Sequence, residues 1–222
     1  MLFHFGENMK YSHIIWDFNG TILNDVQTGI DAVNVLLKRY GKKTIDTVEE
    51  YRAAFGFPVI DYYESIGLER ENFPKYAPEW VYEYNLREPD AKIFEGVIDL
   101  MEYFKSNNYP QYLLSATEST MLKGQIERLG VGTYFDEIIG QSGIEAHGKT
   151  GAALEWKARI KPENALFIGD SLHDYEVAQA IDADCVLIAW GHQSKERLLK
   201  TEAVVFDTAL NLQKAFENGE LK

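Results

Sequence analysis

Cysteine is almost absent from this sequence: Cys185 is the only one among 222 residues. A single cysteine cannot form a disulfide within the chain, which excludes a small scaffold held together by disulfides and indicates a reducing, cytoplasmic location. Long apolar runs are absent too, since no stretch approaches the roughly 20 residues that cross a bilayer. The first ten residues lack the basic and apolar regions of a signal peptide. We therefore expect a cytoplasmic protein without a membrane partner.

Positive charge is also scarce. Lysine and arginine number 22 against 35 aspartates and glutamates, for a net charge of −13, and the basic residues form no cluster. This balance argues against nucleic acid or an anionic membrane as the main partner. A phosphorylated ligand remains compatible with it, because a few local cations or one bound metal ion reverse the local field.

The sequence does contain a series of short apolar segments bounded by polar or turn residues, a pattern typical of buried β-strands. They are residues 13–18, 111–116, 137–140, 165–170, 184–190 and 203–207. Between them lie helical patterns at 97–106, 119–129, 149–159 and 173–181. Because strands that alternate with helices form parallel sheets through right-handed crossovers, we predict an α/β fold with a Rossmann-like three-layer α/β/α core.

The alternation is interrupted once, after the first strand. From Asn24 to about Pro89 the pattern is helical only, and Asn24 with Gln27 resembles a capping box at the start of the first helix. Three further helical stretches follow, at 48–56, 59–67 and 77–88. We therefore predict a core domain of residues 1–23 and 90–222, and an inserted α-helical domain of residues 24–89, called the helical insert below.

Polar residues follow several of the predicted strands. They are Asp17, Ser115 with Ala116 and Thr117, Gly140 with Gln141, and Gly169 with Asp170. Lys149 and Asp174 are close to them in sequence. In a parallel α/β sheet the ligand site lies beyond the carboxyl ends of the strands, so these residues predict a site.

The chemistry of this set suits phosphoryl transfer. Asp17 and Asp170 offer the hard oxygen ligands that Mg²⁺ takes, and Asp174 supports the metal or orients Lys149. Ser115 supplies a hydroxyl, and the amides after it are expected to open a helix whose N-terminus favours an anion. Gly20 allows close approach to a phosphate, Thr21 adds a hydroxyl, and Lys149 supplies positive charge. Phosphoryl transfer needs a nucleophile, a metal ion, a cation and hydrogen-bond donors that hold the anion, and this set offers all four.

The motifs resemble those of a known family. "DFNGT" at 17–21, "LLSAT" at 113–117, Lys149, and "GDSLHD" at 169–174 resemble, in order, the four motifs of the haloacid dehalogenase superfamily. The resemblance spans residues 14 to 192. The helical insert is similar to that superfamily's small α-helical cap. The segment "FGFP" at 55–58 lies where the substrate-specificity loop of that cap would be. Phosphoglycolate-phosphatase-like and β-phosphoglucomutase-like members have a similar pattern.

This resemblance implies roles for individual residues. Asp17 would be the nucleophile that forms an aspartyl-phosphate. Mg²⁺ would be held by Asp17, the backbone carbonyl of Asn19 and Asp170, with Asp174 bound directly or through water. Ser115, Ala116, Gly20, Thr21 and Lys149 would bind the phosphoryl group of a small phosphorylated metabolite, phosphoglycolate-like or a sugar phosphate.

Two departures from the family pattern stand out. Phosphatase members carry a second aspartate two residues after the nucleophile, where it transfers the proton, and here that position is Asn19. Thr150 follows Lys149 in place of a frequent proline, so Lys123 or Lys157 are alternatives for the lysine.

Asn19 leaves four hypotheses open. In the first, the chain is a phosphatase in which another group or the substrate supplies the proton; in the second, it acts on a substrate whose leaving group needs little protonation, such as an acyl phosphate or a phosphonate. In the third, it is a non-catalytic phosphometabolite-binding protein. In the fourth, Asn19 is an engineered change. We predict a Mg²⁺-dependent phosphatase, attenuated by Asn19.

Other residues of the helical insert and the loops are further candidates for the site or the core. Arg52, Phe57 and Tyr62 are candidates for contacting the substrate. Tyr76, Trp80 and Tyr84 recur at helical spacing and are expected to be core of the helical insert. His147 lies in a loop that is either exposed or faces the site, and His173 is expected to point away from it.

Overall fold

The computed structural model describes residues 11–141 and 148–221, and eight strands lie within them. They are β1 His13–Trp16, β2 Leu23–Asn24, β3 Lys92–Ile93, β4 Gln111–Glu118, β5 Glu137–Gln141, β6 Ala165–Gly169, β7 Asp184–Ile188 and β8 Val204–Phe206. Six of them form one parallel sheet in the order β5-β4-β1-β6-β7-β8. The six predicted strands and their parallel arrangement are thereby confirmed.

Ten α-helices accompany the strands in the described residues. They are α1 Val26–Arg39, α2 Val48–Ala54, α3 Val59–Ser65, α4 Phe73–Asn85, α5 Val97–Ser106, α6 Ser119–Leu129, α7 Gly148–Ile160, α8 Leu172–Ala180, α9 Lys195–Leu198 and α10 Ala209–Glu217. The four helices predicted in the core are α5 to α8. None of the described helices combines the length and the apolar character that crossing a bilayer requires.

Side chains of β1 show why the sheet is covered on both faces. Ile14 and Trp16 pack on one face with residues of α5, α6 and α10, whereas Ile15 packs on the other with residues of α7 and α8. Successive residues of a strand point to opposite faces, so an unbroken apolar run is what two covered faces require. The core is therefore the three-layer α/β/α arrangement that the sequence predicts.

The helical insert has an apolar core of its own. Helices α1 to α4 pack around residues such as Val33, Leu36 and Tyr51, all buried. The chain leaves the sheet through β2 and returns through β3, and these two short strands pair antiparallel. This pairing joins the two ends of the insert beside the carboxyl end of β1.

The expected capping box at Asn24 is wrong. Helix α1 begins at Val26 with Asp25 at its N-cap, and no side chain caps it. Asn24 belongs to β2, and the Gln27 amide donates to Asp31 at 2.8 Å. The carboxylate of Asp25 instead accepts hydrogen bonds from residues far away in sequence, at the site described next.

Candidate active site

Three buried carboxylates meet beyond the carboxyl ends of β1 and β6. Asp17 follows β1, Asp170 follows β6, and Asp174 lies in the first turn of α8. One oxygen of each lies within 4.8 Å of the others. The sheet topology brings these ends together because β1 and β6 are neighbouring parallel strands.

Lys149, near the start of α7, lies between two of these carboxylates. Its ammonium group contacts Asp17 and Asp174, and the side chain is buried. The other oxygen of Asp174 accepts hydrogen bonds from the amides of Asp170 and Ser171 and from the Ser171 hydroxyl. The alternative lysines lie elsewhere: Lys123 is exposed and Lys157 pairs with Asp182.

Burial dominates the acid–base properties of this cluster. It raises the pKa of Asp17 to about 6, although Lys149 opposes the shift. Burial, together with Asp174 and Asp17, raises the pKa of Asp170 to about 8 against the effect of His192. Burial lowers the pKa of Lys149, but Asp17 and Asp174 outweigh it and the pKa is raised. Three carboxylates thus face one ammonium group, an excess of negative charge that favours a cation.

Two glycines allow backbone to approach Asp170. Gly20 has a φ of +73°, and a Cβ there would lie 2.3 Å from the Asp170 carboxylate. A Cβ on Gly191 would lie 2.2 Å from the same carboxylate. Gly20 thus makes room for Asp170, and its amide donates to Asp25 at 2.9 Å. Its predicted role toward phosphate stays a prediction.

The Ser115 segment differs in part from expectation. Strand β4 continues to Glu118, so α6 begins four residues after Ser115. The Glu118 carboxylate accepts hydrogen bonds from the Thr120 and Met121 amides at the start of that helix. The expected free helix N-terminus directly after Ser115 is therefore wrong. Ser115 and Ala116 do line the cavity, and the Ser115 hydroxyl accepts the Thr117 amide at 3.1 Å.

Thr21 is fully buried beside the nucleophile candidate. Its hydroxyl donates to Asp17 at 3.2 Å, so in this structure it orients Asp17. Its predicted contact with phosphate stays a prediction.

Asn19 is held on both ends of its amide. The nitrogen donates to Asp25 at 2.9 Å and to the Tyr84 hydroxyl at 3.0 Å, and the oxygen accepts from Thr117 at 2.8 Å. Because an amide nitrogen carries two hydrogens, both donors are used. Asn19 therefore connects the loop after β1 with α4 and with the end of β4.

Asp25 and His192 form an ion pair behind Asn19. His192 Nε2 lies 3.0 Å from Asp25, and its Nδ1 lies 3.0 Å from the Tyr51 hydroxyl. Burial lowers the pKa of His192, but Asp25 outweighs it and the pKa rises to about 9. Burial raises the pKa of Asp25, yet His192, Tyr84 and Asn19 bring it below its ordinary value.

Sequence reasoning missed this network. His192 could have been found, because it follows β7 at the same edge of the sheet. Tyr84 is buried as expected, but its hydroxyl donates to Asp25 at 2.6 Å, so it belongs to the site as well as to the core of the helical insert.

A cavity of about 390 Å³ lies over the carboxylates, between the core and the helical insert. Phe57 and Tyr62 line it, and their predicted contact with substrate stays a prediction. Arg52 instead donates to the carbonyls of Trp190 and Gly191, at 2.5 and 2.8 Å. His173 lines the cavity with its ring 5.0 Å from Phe57, so the expectation that it points away is wrong. His147 lies outside the described residues.

Known proteins resemble this chain along most of its length. The profile of a family described as "Haloacid dehalogenase-like hydrolase" matches residues 14–188. Phosphoglycolate phosphatase 1 of Pseudomonas aeruginosa is 24% identical over 189 residues, which cover 81% of this chain and 70% of that one. Pyrophosphatase PpaX of Listeria welshimeri is 21% identical over 197 residues, covering 85% and 88%. A haloacid dehalogenase-like hydrolase from Streptococcus pneumoniae has a similar solved fold, with a TM-score of 0.82, 22% identity, and coverage of 94% of this chain and 100% of that one.

Proposed function

The chain belongs to the haloacid dehalogenase-like hydrolase family, and from this we propose a Mg²⁺-dependent phosphatase. It hydrolyses a phosphate monoester of a small metabolite through an aspartyl-phosphate on Asp17. One observation carries the proposal: Asp17, Lys149 and Asp170 are buried together at the floor of a cavity of about 390 Å³. The relatives' names make phosphoglycolate and pyrophosphate compounds to include in the substrate panel.

Asp17 is the nucleophile of the proposed reaction. Lys149 keeps its carboxylate ionised and oriented, and the Thr21 hydroxyl holds the second oxygen. With a pKa of about 6, Asp17 is mostly ionised at neutral pH, as a nucleophile must be. Ser115, which lines the cavity, is in reach of a phosphoryl group bound there.

The donor set fits Mg²⁺. Asp17, Asp170, the backbone carbonyl of Asn19, and Asp174 directly or through water would hold the ion, since Mg²⁺ prefers oxygen ligands and few carboxylates. When bound, the ion neutralises charge on the phosphoryl group and holds it for attack.

Asn19 limits the reaction. A positioned acid or base contributes about 10²–10⁴-fold to rate, and an amide cannot supply it. Binding and electrostatic stabilisation by Lys149 do not depend on that group. We therefore propose attenuated hydrolysis of ordinary alkyl phosphates; a non-catalytic binding protein is the alternative.

The test is release of inorganic phosphate from a panel of small phosphate esters with and without Mg²⁺. We expect turnover of at least one ester with Mg²⁺, and at least 10³-fold less in Asp17→Asn, because the nucleophile is gone. Asp182→Asn is the matched control, as it removes a carboxylate from a lysine–aspartate pair at the surface. Mg²⁺-dependent binding of these esters without turnover would contradict the enzyme and support the binding protein.

A further inference from the structure

The cavity over the carboxylates has an aromatic wall. Rings of Phe55 and Phe57 precede α3, Tyr62 lies on α3, and Trp80 and Tyr84 lie on α4; all line the cavity. Phe55 packs 5.6 Å from Phe57 and 5.3 Å from Tyr62, and Trp80 stacks on Tyr84 at 4.9 Å. Phe57 is 44% exposed, so part of an apolar ring remains to be covered by a ligand. Such a wall favours a flat apolar group next to the phosphate.

The charges of the cavity oppose a carboxylate on the leaving group. Five carboxylates line it, those of Asp17, Asp25, Glu118, Asp170 and Asp174. Its basic side chains in the described residues each lie beside a carboxylate: Lys149 beside Asp17 and Asp174, His192 beside Asp25, and His173 beside Glu176. A second anionic group on the substrate would thus meet no unpaired cation from the described part of the cavity, and like charges repel.

Asn19 restricts the kind of leaving group that the site can expel. Both amide hydrogens are bound to Asp25 and Tyr84, and the amide oxygen accepts from Thr117. The position beside the nucleophile therefore offers no free donor, and no proton. An alkoxide is about as basic as hydroxide, whose conjugate acid has a pKa of roughly 16, and leaves poorly without a proton. A phenolic oxygen has a pKa of about 10 and needs far less help.

We propose that the substrate is an aryl phosphate, the phosphate monoester of a flat aromatic hydroxyl compound without a carboxylate. This inference rests on the phosphatase proposed above and names its substrate class. An Asp17 oxygen forms a bond to phosphorus as the bond from phosphorus to the aryl oxygen breaks. The bonding pair leaves with the aryloxide, which takes a proton from water. A water molecule then hydrolyses the aspartyl-phosphate, which releases inorganic phosphate and regenerates Asp17.

Three esters separate the elements of this proposal. Phenyl phosphate and benzyl phosphate carry the same ring but differ in leaving group, a phenol against an alcohol. Phosphoglycolate has an alkyl oxygen and a carboxylate. With Mg²⁺ we expect a kcat/KM at least 100-fold higher for phenyl phosphate than for benzyl phosphate, and the lowest kcat/KM for phosphoglycolate. Across substituted phenyl phosphates, kcat/KM should rise steadily as the phenol becomes more acidic, because this parameter reports formation of the aspartyl-phosphate that all substrates share.

A pair of variants on α4 tests the aromatic wall. Trp80→Leu should raise KM for phenyl phosphate about two- to tenfold, because an aromatic contact with the substrate ring is lost. Tyr82→Leu removes an exposed ring from the same helix, outside the cavity lining, and should leave KM unchanged. Thermal unfolding of both variants shows whether either one perturbs the fold.

The outcomes separate the two proposals. If the kcat/KM of phosphoglycolate or benzyl phosphate equals that of phenyl phosphate, the aryl inference is overturned and the phosphatase stands. Equal KM for Trp80→Leu and wild type also overturns the aryl inference. If neither these esters nor the labile acyl phosphate acetyl phosphate is hydrolysed, the phosphatase itself is wrong.

Discussion

At the scale of single residues, Asn19 is a structural connector. Its amide bonds Asp25 in the same loop, Tyr84 on α4 and Thr117 at the end of β4. An aspartate here would lose the hydrogen bonds that the Asn19 nitrogen donates to Asp25 and Tyr84, and would place two carboxylates at hydrogen-bond distance. An amide at this position therefore suits its neighbour Asp25 better than a carboxylate would.

Asn19→Asp should destabilise the protein in a pH-dependent manner. Asp25 and partial burial raise the pKa of the new carboxyl group above its ordinary value of about 3.9. Because a raised pKa disfavours the ionised form in the folded chain, stability relative to wild type is retained near pH 4 and falls as the pH increases. We expect the difference in Tm between wild type and variant to be larger at pH 8 than at pH 5, measured without metal.

Asn19→Ala is the control for lost hydrogen bonds. It removes the amide without adding a charge, at a cost of about 1–3 kcal/mol that does not vary with pH between 5 and 8. A pH-independent deficit for Asn19→Asp would mean that its carboxyl group does not interact with Asp25.

At the scale of elements, the loops after β1 and β7 close on Asp170 from two sides. Gly20 and Gly191 supply backbone without side chains, and the His192 amide donates to the Asp170 carboxylate. A carboxylate can be packed this tightly only where neighbouring residues have no Cβ. The two glycines therefore determine where the metal candidate site lies relative to the sheet edge.

Gly20→Ala should lower the free energy of unfolding much more than an equivalent glycine substitution elsewhere. A left-handed φ costs an alanine about 1–2 kcal/mol, and the contact with Asp170 adds about 1–3 kcal/mol. Gly41, with a φ of +65° and open space around it, carries the first cost only, so Gly41→Ala is the matched control. Urea unfolding measures both free energies. Equal losses in the two variants would show that the loop moves freely away from Asp170.

At the scale of the whole molecule, burial of negative charge is the main cost in folding free energy that the protein's own cations do not offset. The chain has a net charge of −13, and three carboxylates of the site are buried with a single lysine. A cation at this position would relieve the repulsion, which links metal binding to stability. The aromatic helical insert lies over the site, so the same arrangement that buries the charge also forms the cavity.

Mg²⁺ should raise the Tm of the wild type, because a ligand that binds only the folded state stabilises it. Asp170→Asn should abolish this shift. Without metal, the variant should equal or exceed the wild type in Tm near pH 8. The reason is that Asp170 titrates at about 8 when folded and near 3.9 when unfolded, so its burial reduces stability increasingly above pH 4. An equal Mg²⁺ shift in both proteins would place the ion elsewhere.

Local pattern was sufficient for the architecture. The six strands of the sheet are short apolar runs, and their alternation with helices predicts the parallel sheet and the edge where Asp17, Ser115 and Asp170 meet. The end of β4 could not be predicted in this way, since the strand extends to Glu118 by pairing with β5 across a shift in register. The role of Asp25 could not be predicted either, because two partners of its carboxylate, Tyr84 and His192, are distant in sequence.

The sequence by itself determined the fold class and the strand ends at which Asp17 and Asp170 lie, because apolar periodicity and the position of polar residues are local properties. The nucleophile role of Asp17 is what the resemblance of its motif to the haloacid dehalogenase superfamily implies. Only the tertiary structure decided what surrounds Asn19, that Arg52 bonds to carbonyls of the core, and that His173 and the aromatic rings of the helical insert face the cavity. These features depend on contacts between elements far apart in the chain. Hydrogen bonds and ring packing of that kind form only when the helical insert and the sheet are brought together.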